Sequence, residues 1–348
     1  MPISPVDSFD ISDVVSDIPK ADLHVHAEAG PRLHRLLAHT SDESPTDWRK
    51  WADQLVLETP AGMPRLEKLT SGLITADEDA KPRNFLARVV DVLREEANAG
   101  AIYTEIRFGR ETVLRTDFIE LFRQAENTVR IEHPSFVAEP LATLLVGPDS
   151  VETERLVEAC LRAATEGLAG VDFIPQPYDQ DADWTTAYAW AERLADSGLG
   201  ITIHAGEFAA ANLEAAIRTP GVRRIGHGVF AAIDERLLDQ VADSGVAIEC
   251  CLTSNVILGA VDNYESHPIF AFIEAGIPVT LNTDNPVRFS TTIASEYEIA
   301  HQLGLSKVEL LNVTRSAVEH AFTTSDRREK LVAQLNSAVG DGAVSESR

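Results

Sequence analysis

Apolar positions along the chain follow two rhythms that alternate from one end to the other. Short runs rich in β-branched residues predict strands at ADLHVH (21–26), IYTEIRF (102–108), SFVAEPLATLLV (135–146), AGVDFIP (169–175), GITIHAG (200–206), RRIGHGV (223–229), VAIECCLTS (246–254) and PVTLNTD (278–284). Between them apolar residues recur three and four apart, as in FLARVVDVLREEANAG (85–100) and WAERLADSG (190–198), which predicts helices stopped by glycine. Strand alternating with helix implies parallel pairing through right-handed crossovers. Eight such units close into a (β/α)8 TIM barrel, an α/β fold whose chemistry sits at the C-terminal ends of the strands. An open, doubly wound sheet is the other architecture compatible with the pattern. It is disfavoured because no G-x-G-x-x-G or G-x-x-x-x-G-K-[ST] follows the first strand.

Two stretches depart from the repeat. Residues 31–83, which hold Trp48, Trp51 and ETPAGMPRLEK, are too long for a βα loop and predict a helical lid over the barrel mouth. After LNTDNP, helical patterns at about 294–303 and 306–320 lead into a C-terminal helical region reaching about 335, and the DGAVSESR tail is expected to fray. Neither stretch has the composition of a linker, so residues 1–348 read as a single domain, and a hydrophobic fraction of 44 % supplies its core.

Charge narrows the partners. A formal net charge of -25 repels phosphate backbones and anionic bilayers, which leaves a small molecule in place of nucleic acid or membrane. Cys160, Cys250 and Cys251 make no disulfide framework, and the adjacent pair lacks the C-x-x-C spacing, as suits a reducing compartment. The first twenty residues are acidic and broken by proline, unlike a signal peptide, and no run approaches the ~18 apolar residues of a membrane span. A cytoplasmic location is expected. The pattern does not reveal the oligomeric state.

The candidate chemistry begins at the first strand. Side chains alternate along a strand, so His24 and His26 share one face while Leu23, Val25 and Ala27 share the other. Alone, such a pair is as well explained by two hydrogen-bonded histidines in a polar crevice. What changes the picture is that His204, His227 and Asp284 fall at the ends of the fifth, sixth and eighth strands, on the same rim. Singly, each has an ordinary structural explanation: a rim histidine, or for Asp284 a helix N-cap before NPVRF, while Glu207 reads as a solvated loop acid. Together His24, His26, His204 and Asp284 supply three imidazole nitrogens and a carboxylate, a set suited to one Zn2+ per chain with a position left for water. Zinc lowers the pKa of such a water toward neutrality and so provides a hydroxide nucleophile. His227 is then placed to accept the water's proton or to orient the hydroxide, and Glu207 to hand a proton to the substrate. His34, His39, His133, His267, His301 and His320 lie outside the strand ends and read as structural.

PKADLHVH, YTEIRF, HAGE, IGHG, CLTSNVILG, HPI and LNTDNP, in that order, resemble the motifs of the adenosine and AMP deaminase family within the amidohydrolase superfamily. The resemblance runs from about residue 19 to 335. It implies a zinc (β/α)8 barrel that hydrolyses the exocyclic amine of a 6-aminopurine, most simply adenosine or 2′-deoxyadenosine to the inosine product, with release of ammonia. By motif, His24, His26, His204 and Asp284 are the implied zinc ligands, Glu207 the group that protonates the ring nitrogen, and His227 the group that positions the hydroxide.

The departures from the family pattern fall on expected substrate contacts. HAEAG stands where HLDGS is usual, so Glu28, one carbon longer than the usual aspartate, is the expected sugar contact. The family's fourth strand usually ends in a glycine-containing segment against the purine; VDFIPQPYD offers Asp172 instead. Asn285 replaces the second aspartate of the common TDDP and can still donate to a ring nitrogen. A phosphate on the sugar would meet Glu28 in an acidic chain and is expected to be disfavoured. These positions leave open another aminopurine or related heterocycle, such as adenine or an N6-substituted adenine. The intact ligand set speaks against a metal-free binding relative, and the lack of a strand-end lysine against a two-metal hydrolase bridged by a modified lysine.

Overall fold

A computed structural model describes residues 11–37, 46–71, 76–147 and 150–345. Its strands β1 (Lys20–His26), β2 (Ala101–Phe108), β3 (Val137–Val146), β4 (Gly170–Pro175), β5 (Gly200–Ala205), β6 (Val222–His227), β7 (Ala247–Cys250) and β8 (Val279–Leu281) pair in sequence order, all parallel. The seam between β8 and β1 closes through a bridge between Val25 and Asp284. There His26 N–H donates to Asp284 O at 2.7 Å, and Asp284 N–H donates to His24 O at 2.8 Å. Because β8 is short, side chains satisfy the backbone groups that it leaves unpaired. Asn282 Oδ1 accepts the Leu23 N–H at 3.0 Å, and Asp22 accepts the N–H and hydroxyl of Thr283 at 3.0 and 2.7 Å. The fold is the (β/α)8 TIM barrel that the alternation implies.

Strand alternation also sorts the barrel wall. Val25, Ile106, Val171, Phe173, Ile201, Ile203, Ile225 and Ile248 are fully buried in the apolar layer against the helices. The intervening positions point inward and are polar: Asp22, Glu105, Arg107, Asp172, Thr202, Arg224 and Glu249, none more than 1 % exposed. An ion-paired stack therefore replaces the aliphatic layers usual in such barrels. Arg224 joins Glu105 and Glu249 at 2.5 and 2.6 Å, and Arg107 donates to Glu249 at 2.5 Å. Buried charges persist when paired in this way. Phe322 closes the stack at the N-terminal end of the barrel, its ring 3.6 Å from the Arg224 guanidinium, in space that Gly170 and Gly200 leave open.

Two expectations at element ends are corrected. The seventh strand stops at Cys250 instead of 254, because Leu252–Leu258 forms a buried helix that Gly259 ends at φ +80°; a short apolar run does not distinguish the two by pattern alone. The C-terminal helix extends past the expected 335: it runs from Ser325 to Ser345, with Leu331 and Leu335 buried, and residues 346–348 of the DGAVSESR tail lie outside the described residues.

Within the expected lid segment lie helices Ala29–Leu37, Trp48–Glu58, Met63–Thr70 and Ala76–Asp79. Asp47 starts the second of these by accepting the Lys50 N–H at 3.0 Å. Leu55 and Leu69 pack with Leu258 and Phe289, which ties these helices to the segments following β7 and β8. Met63, Leu66 and Leu69 face the cavity at the barrel mouth. Residues 38–45 and 72–75, His39 included, lie outside the described residues. Among the described residues no helix is long and apolar enough to cross a membrane.

Candidate active site

The four expected ligand residues converge at the C-terminal rim. His24 Nε2 lies 3.0 Å from His204 Nε2, and His26 Nε2 lies 3.4 Å from the same atom. Asp284 Oδ1 is 3.3 Å from His26 Nε2 and 3.8 Å from His24 Nε2. The His227 ring stands 4.9 Å from that of His24 and 5.2 Å from that of His204, so it borders the cluster and is near enough to share a metal with them.

Hydrogen bonds behind the cluster determine what its front presents. His24 Nδ1 meets Glu249 Oε2 at 2.9 Å, and His204 Nδ1 meets Asp172 Oδ1 at 2.9 Å. Burial alone would raise the Glu249 carboxyl, but Arg107 and Arg224 outweigh it and bring the group down to about 2. Burial raises Asp172 to about 6, against the pull of Arg107, which leaves it ionised at neutral pH. Both carboxylates therefore accept. His24 and His204 carry their protons on Nδ1 and turn bare Nε2 lone pairs toward each other. Protonation does not relieve that contact, since burial lowers the pKa of both rings well below the usual histidine value. Two lone pairs 3.0 Å apart need a cation between them. With His26 and Asp284 alongside, the donor set fits zinc, and carboxylate–histidine support of this kind is the usual second layer of such sites.

Backbone strain collects at the same rim. Glu28, His227 and Asp284 adopt positive φ of +39°, +67° and +61°. Each costs about 1–3 kcal/mol in a side chain-bearing residue. The left-handed turns send these side chains back over the barrel mouth. Gly226 has a different reason: a Cβ there would lie 2.9 Å from His24 Cε1.

Glu207 is 2 % exposed, with Tyr178 Oη donating to its Oε2 at 2.8 Å and its Oε1 left without a partner. Burial, reinforced by the Asp284 charge, pushes its carboxyl up to about 8. At neutral pH it is an acid holding its proton at the cavity. The segment bearing Tyr178 is pinned by Asn212, whose Oδ1 accepts from Ala182 N–H and Trp184 Nε1–H at 2.9 and 3.0 Å.

A directed relay sets His227. Ile269 N–H can only donate, and it donates to His267 Nδ1 at 3.2 Å. His267 Nε2–H then donates to Asn255 Oδ1 at 3.2 Å, and Asn255 Nδ2–H to His227 Nδ1 at 3.1 Å. The proton of neutral His227 is consequently on Nε2. His267, expected to be structural, thus acts on the site at one remove. His34, His133, His301 and His320 bond to Thr46, Asn98, Leu305 O and Ser316 O, away from it.

The residues expected at the substrate are placed differently from one another. Glu28 spends both carboxylate oxygens on the turn after β8, accepting the N–H of Val287 at 2.9 Å and of Arg288 at 3.1 Å, with Arg32 at 3.8 Å. Its extra methylene, compared with aspartate, and its left-handed backbone provide that reach, so each oxygen is committed to the turn after β8 while the residue still lines the cavity. Asp172 is fully buried behind His204, and Arg107 stands 3.5 Å away, so it supports the His204 ring from behind instead of lining the cavity. Asn285 does face the cavity, donating to Asp284 Oδ1 at 2.6 Å. Sequence reasoning missed Glu249, Arg107, Tyr178, Asn255 and Ser254, whose hydroxyl donates to Asp284 Oδ2 at 2.6 Å. Two of these left a trace: an acid in AIEC and an arginine in YTEIRF, charges inside otherwise apolar strands.

The cavity in front of these groups measures about 890 Å3 and extends from the ligand cluster and Glu207 to helix Met63–Thr70 and Arg288. The adenosine deaminase family model matches residues 19–338. An adenine deaminase of Chelativorans sp. (strain BNC1) is 32 % identical over 341 residues, covering 92 % of this chain and 98 % of its own. Arabidopsis ADAL complexed with IMP superposes with a TM-score of 0.77 at 21 % identity, covering 95 % of this chain and 99 % of that one. An amidohydrolase of Burkholderia ambifaria with bound Zn gives a TM-score of 0.73 at 16 % identity, covering 98 % of each chain.

Proposed function

This chain belongs to the adenosine deaminase family and is a hydrolytic deaminase of an aminopurine, and we propose that its substrate is a 6-aminopurine carrying a sugar, adenosine or 2′-deoxyadenosine in the simplest case. Glu207 carries the reading: a buried carboxyl, neutral at pH 7, with Oε1 unpartnered at the cavity beside three imidazoles and a carboxylate. Adding water to the amine-bearing carbon of a purine disrupts its aromatic ring, and protonation of the adjacent ring nitrogen makes that carbon electrophilic. Glu207 supplies this proton. Tyr178 holds the carboxyl in place through Oε2 and leaves Oε1 to deliver it.

His24, His26, His204 and Asp284 would hold one zinc ion per chain, which would supply ionisation of water near neutral pH. Support for zinc comes from the donor set and from the Burkholderia amidohydrolase, which has bound Zn. Of the two roles expected of His227, the relay through Asn255 supports orientation: its Nε2–H donates toward the hydrolytic oxygen and does not accept from it. Asn285 offers its amide to the purine edge. As the adduct collapses, its hydroxyl loses a proton to form the carbonyl while the C–N bond breaks and the amine takes up a proton to leave as ammonia; the proton first lost by water restores the one that Glu207 gave to the ring nitrogen, and the 6-oxopurine remains.

The cavity volume supports a substrate larger than a bare ring. Free adenine is the second reading, favoured by the near-complete match to the Chelativorans adenine deaminase. Ammonia release from adenosine, 2′-deoxyadenosine, adenine, AMP and N6-substituted adenines tests the choice. A sugar-bearing aminopurine should exceed adenine in kcat/KM by about tenfold or more, equivalent to ~1.4 kcal/mol. Adenine preferred over every sugar-bearing compound would refute the proposal.

A further inference from the structure

Helix Met63–Thr70 brings Met63, Leu66 and Leu69 to the cavity. The same helix carries Arg65, which is half-buried and bonds to backbone carbonyls alone. Its Nε donates to Thr59 O at 2.9 Å, its Nη2 to Val56 O at 3.0 Å and its Nη1 to Ile257 O at 2.7 Å. Val56 and Thr59 belong to the end of helix Trp48–Glu58, and Ile257 to the end of helix Leu252–Leu258. The last carbonyls of a helix have no intrahelical partner and carry the negative end of its dipole. One guanidinium therefore joins two helix C-termini, and its planar fork fixes their relative orientation in a way that a single ammonium would not.

The join is close. Gly62 N–H donates to Leu258 O at 2.7 Å, and a Cβ on Gly259 would lie 2.4 Å from Ala61 Cβ and 3.2 Å from Arg65 Nη1. At the other end of helix Leu252–Leu258, the fully buried Glu296 accepts Thr253 N–H through Oε2 at 3.2 Å. Between these two anchors stand Ser254, which donates to Asp284, and Asn255, which donates to His227 Nδ1 at 3.1 Å. Asn255 is about one helical turn from Leu258, so a displacement of the clamped end is carried to its amide.

We infer that Arg65 is a positioning residue for His227: by clamping the corner between helices Trp48–Glu58 and Met63–Thr70 to the C-terminal turn of helix Leu252–Leu258, it couples the substrate-facing wall to the Asn255–His227 hydrogen bond. Arg65 itself touches neither the cavity nor His227. A ligand in contact with Met63, Leu66 or Leu69 steadies that wall, and the clamp passes the order to the Asn255 amide. A misplacement of ~1 Å at a reacting group costs on the order of 10²-fold in rate, even when its cause lies far from the chemistry. The inference rests on the deaminase reading proposed above, in which His227 orients the hydrolytic oxygen.

Arg65→Ala tests the coupling in the zinc-loaded full chain, with ammonia release followed on the aminopurine that wild type turns over best. It should lower kcat roughly tenfold to a hundredfold while KM rises by a smaller factor. Arg65→Lys, which keeps a donor but not the fork, should recover part of kcat; thermal melts check that each variant folds, and Arg65→Lys carries the comparisons if Arg65→Ala does not. In an Asn255→Ala background, Arg65→Ala should cost little more, because the effect has lost its route. The 15N shifts of His227, read without turnover, should change from one Nε2–H form in wild type to a mixture of tautomers in Arg65→Ala. A raised KM with unchanged kcat, a fully additive loss in the double variant, or unmoved His227 shifts would each overturn the coupling and leave Arg65 a clamp of the fold alone. The deaminase reading fails on a separate observation, namely no ammonia from any aminopurine with wild type, and the His227 shifts decide the coupling in that case too.

Discussion

Glu249→Gln probes the support behind the ligand cluster. The native carboxylate accepts from four buried donors: Arg107 Nη2 at 2.5 Å, Arg224 Nε at 2.6 Å, Thr202 Oγ1 at 2.9 Å and His24 Nδ1 at 2.9 Å. An amide keeps one acceptor oxygen and puts an NH2 where the other stood. Turned one way, it confronts His24 and Arg107 with a donor; turned the other way, it confronts Arg224 and Thr202. In either case two buried guanidiniums lose a full negative charge, and breaking a buried pair from one side costs roughly 3–5 kcal/mol. In either orientation His24 Nδ1 loses its charged acceptor, and weakening such support behind a histidine that is to hold a metal costs roughly 10–100-fold in metal affinity. Urea denaturation of the metal-stripped protein measures the first effect, and zinc competition against a chelator measures the second. Both should be seen together. Zinc affinity unchanged in a folded variant would mean that Glu249 stabilises the barrel without tuning His24. A stability loss below about 1 kcal/mol would contradict the charge-pairing argument itself.

Other outcomes follow from the same geometry. Glu207→Gln should keep its zinc by elemental analysis while turnover falls roughly 10²-fold or more; lost zinc would make it a ligand, and unchanged turnover would remove it from the reaction. Because the Glu207 carboxyl is raised to about 8 and must be protonated to act, kcat/KM should be sustained below that pH and fall as pH rises through it. Tyr178 lowers that value through its hydrogen bond, so Tyr178→Phe should move the alkaline limb upward; a downward shift would contradict the assignment. Asn255→Asp replaces a donor with an acceptor opposite His227 Nδ1 and should transfer the ring proton from Nε2 to Nδ1, visible in the 15N shifts of the histidine. It should lower kcat more than it raises KM, and an unmoved tautomer would sink the relay.

The barrel and the convergence of His24, His26, His204 and Asp284 at its rim were legible in the sequence because both depend on period-two alternation. His24, His204 and Asp284 are polar residues at the ends of recognisable strands, and a parallel barrel brings such ends to one rim. The support behind them was less legible. Glu249 sits in a four-residue strand, AIEC, where nothing local says that its neighbours across the barrel are two arginines. Asn255 and Ser254 lie in CLTSN, a stretch that reads equally as strand or buried helix until Gly259 ends it. Tyr178 occupies the segment after β4, whose course depends on Asn212 more than thirty residues later. Glu28 and Asp172 were recognised as unusual, but their direction was not. The first is set by a left-handed backbone, and the second by which side of β4 faces His204.

Metal titration against turnover bears most directly on whether this one cluster drives deamination. The metal-stripped chain receives zinc in sub-stoichiometric steps while ammonia release from adenosine and AMP is followed. Activity should be absent at the start, rise in proportion to added zinc and level off at one equivalent per chain, and His204→Ala should recover none. Full turnover in the stripped chain, or a plateau reached only at two equivalents, would contradict a single ion held by His24, His26, His204 and Asp284.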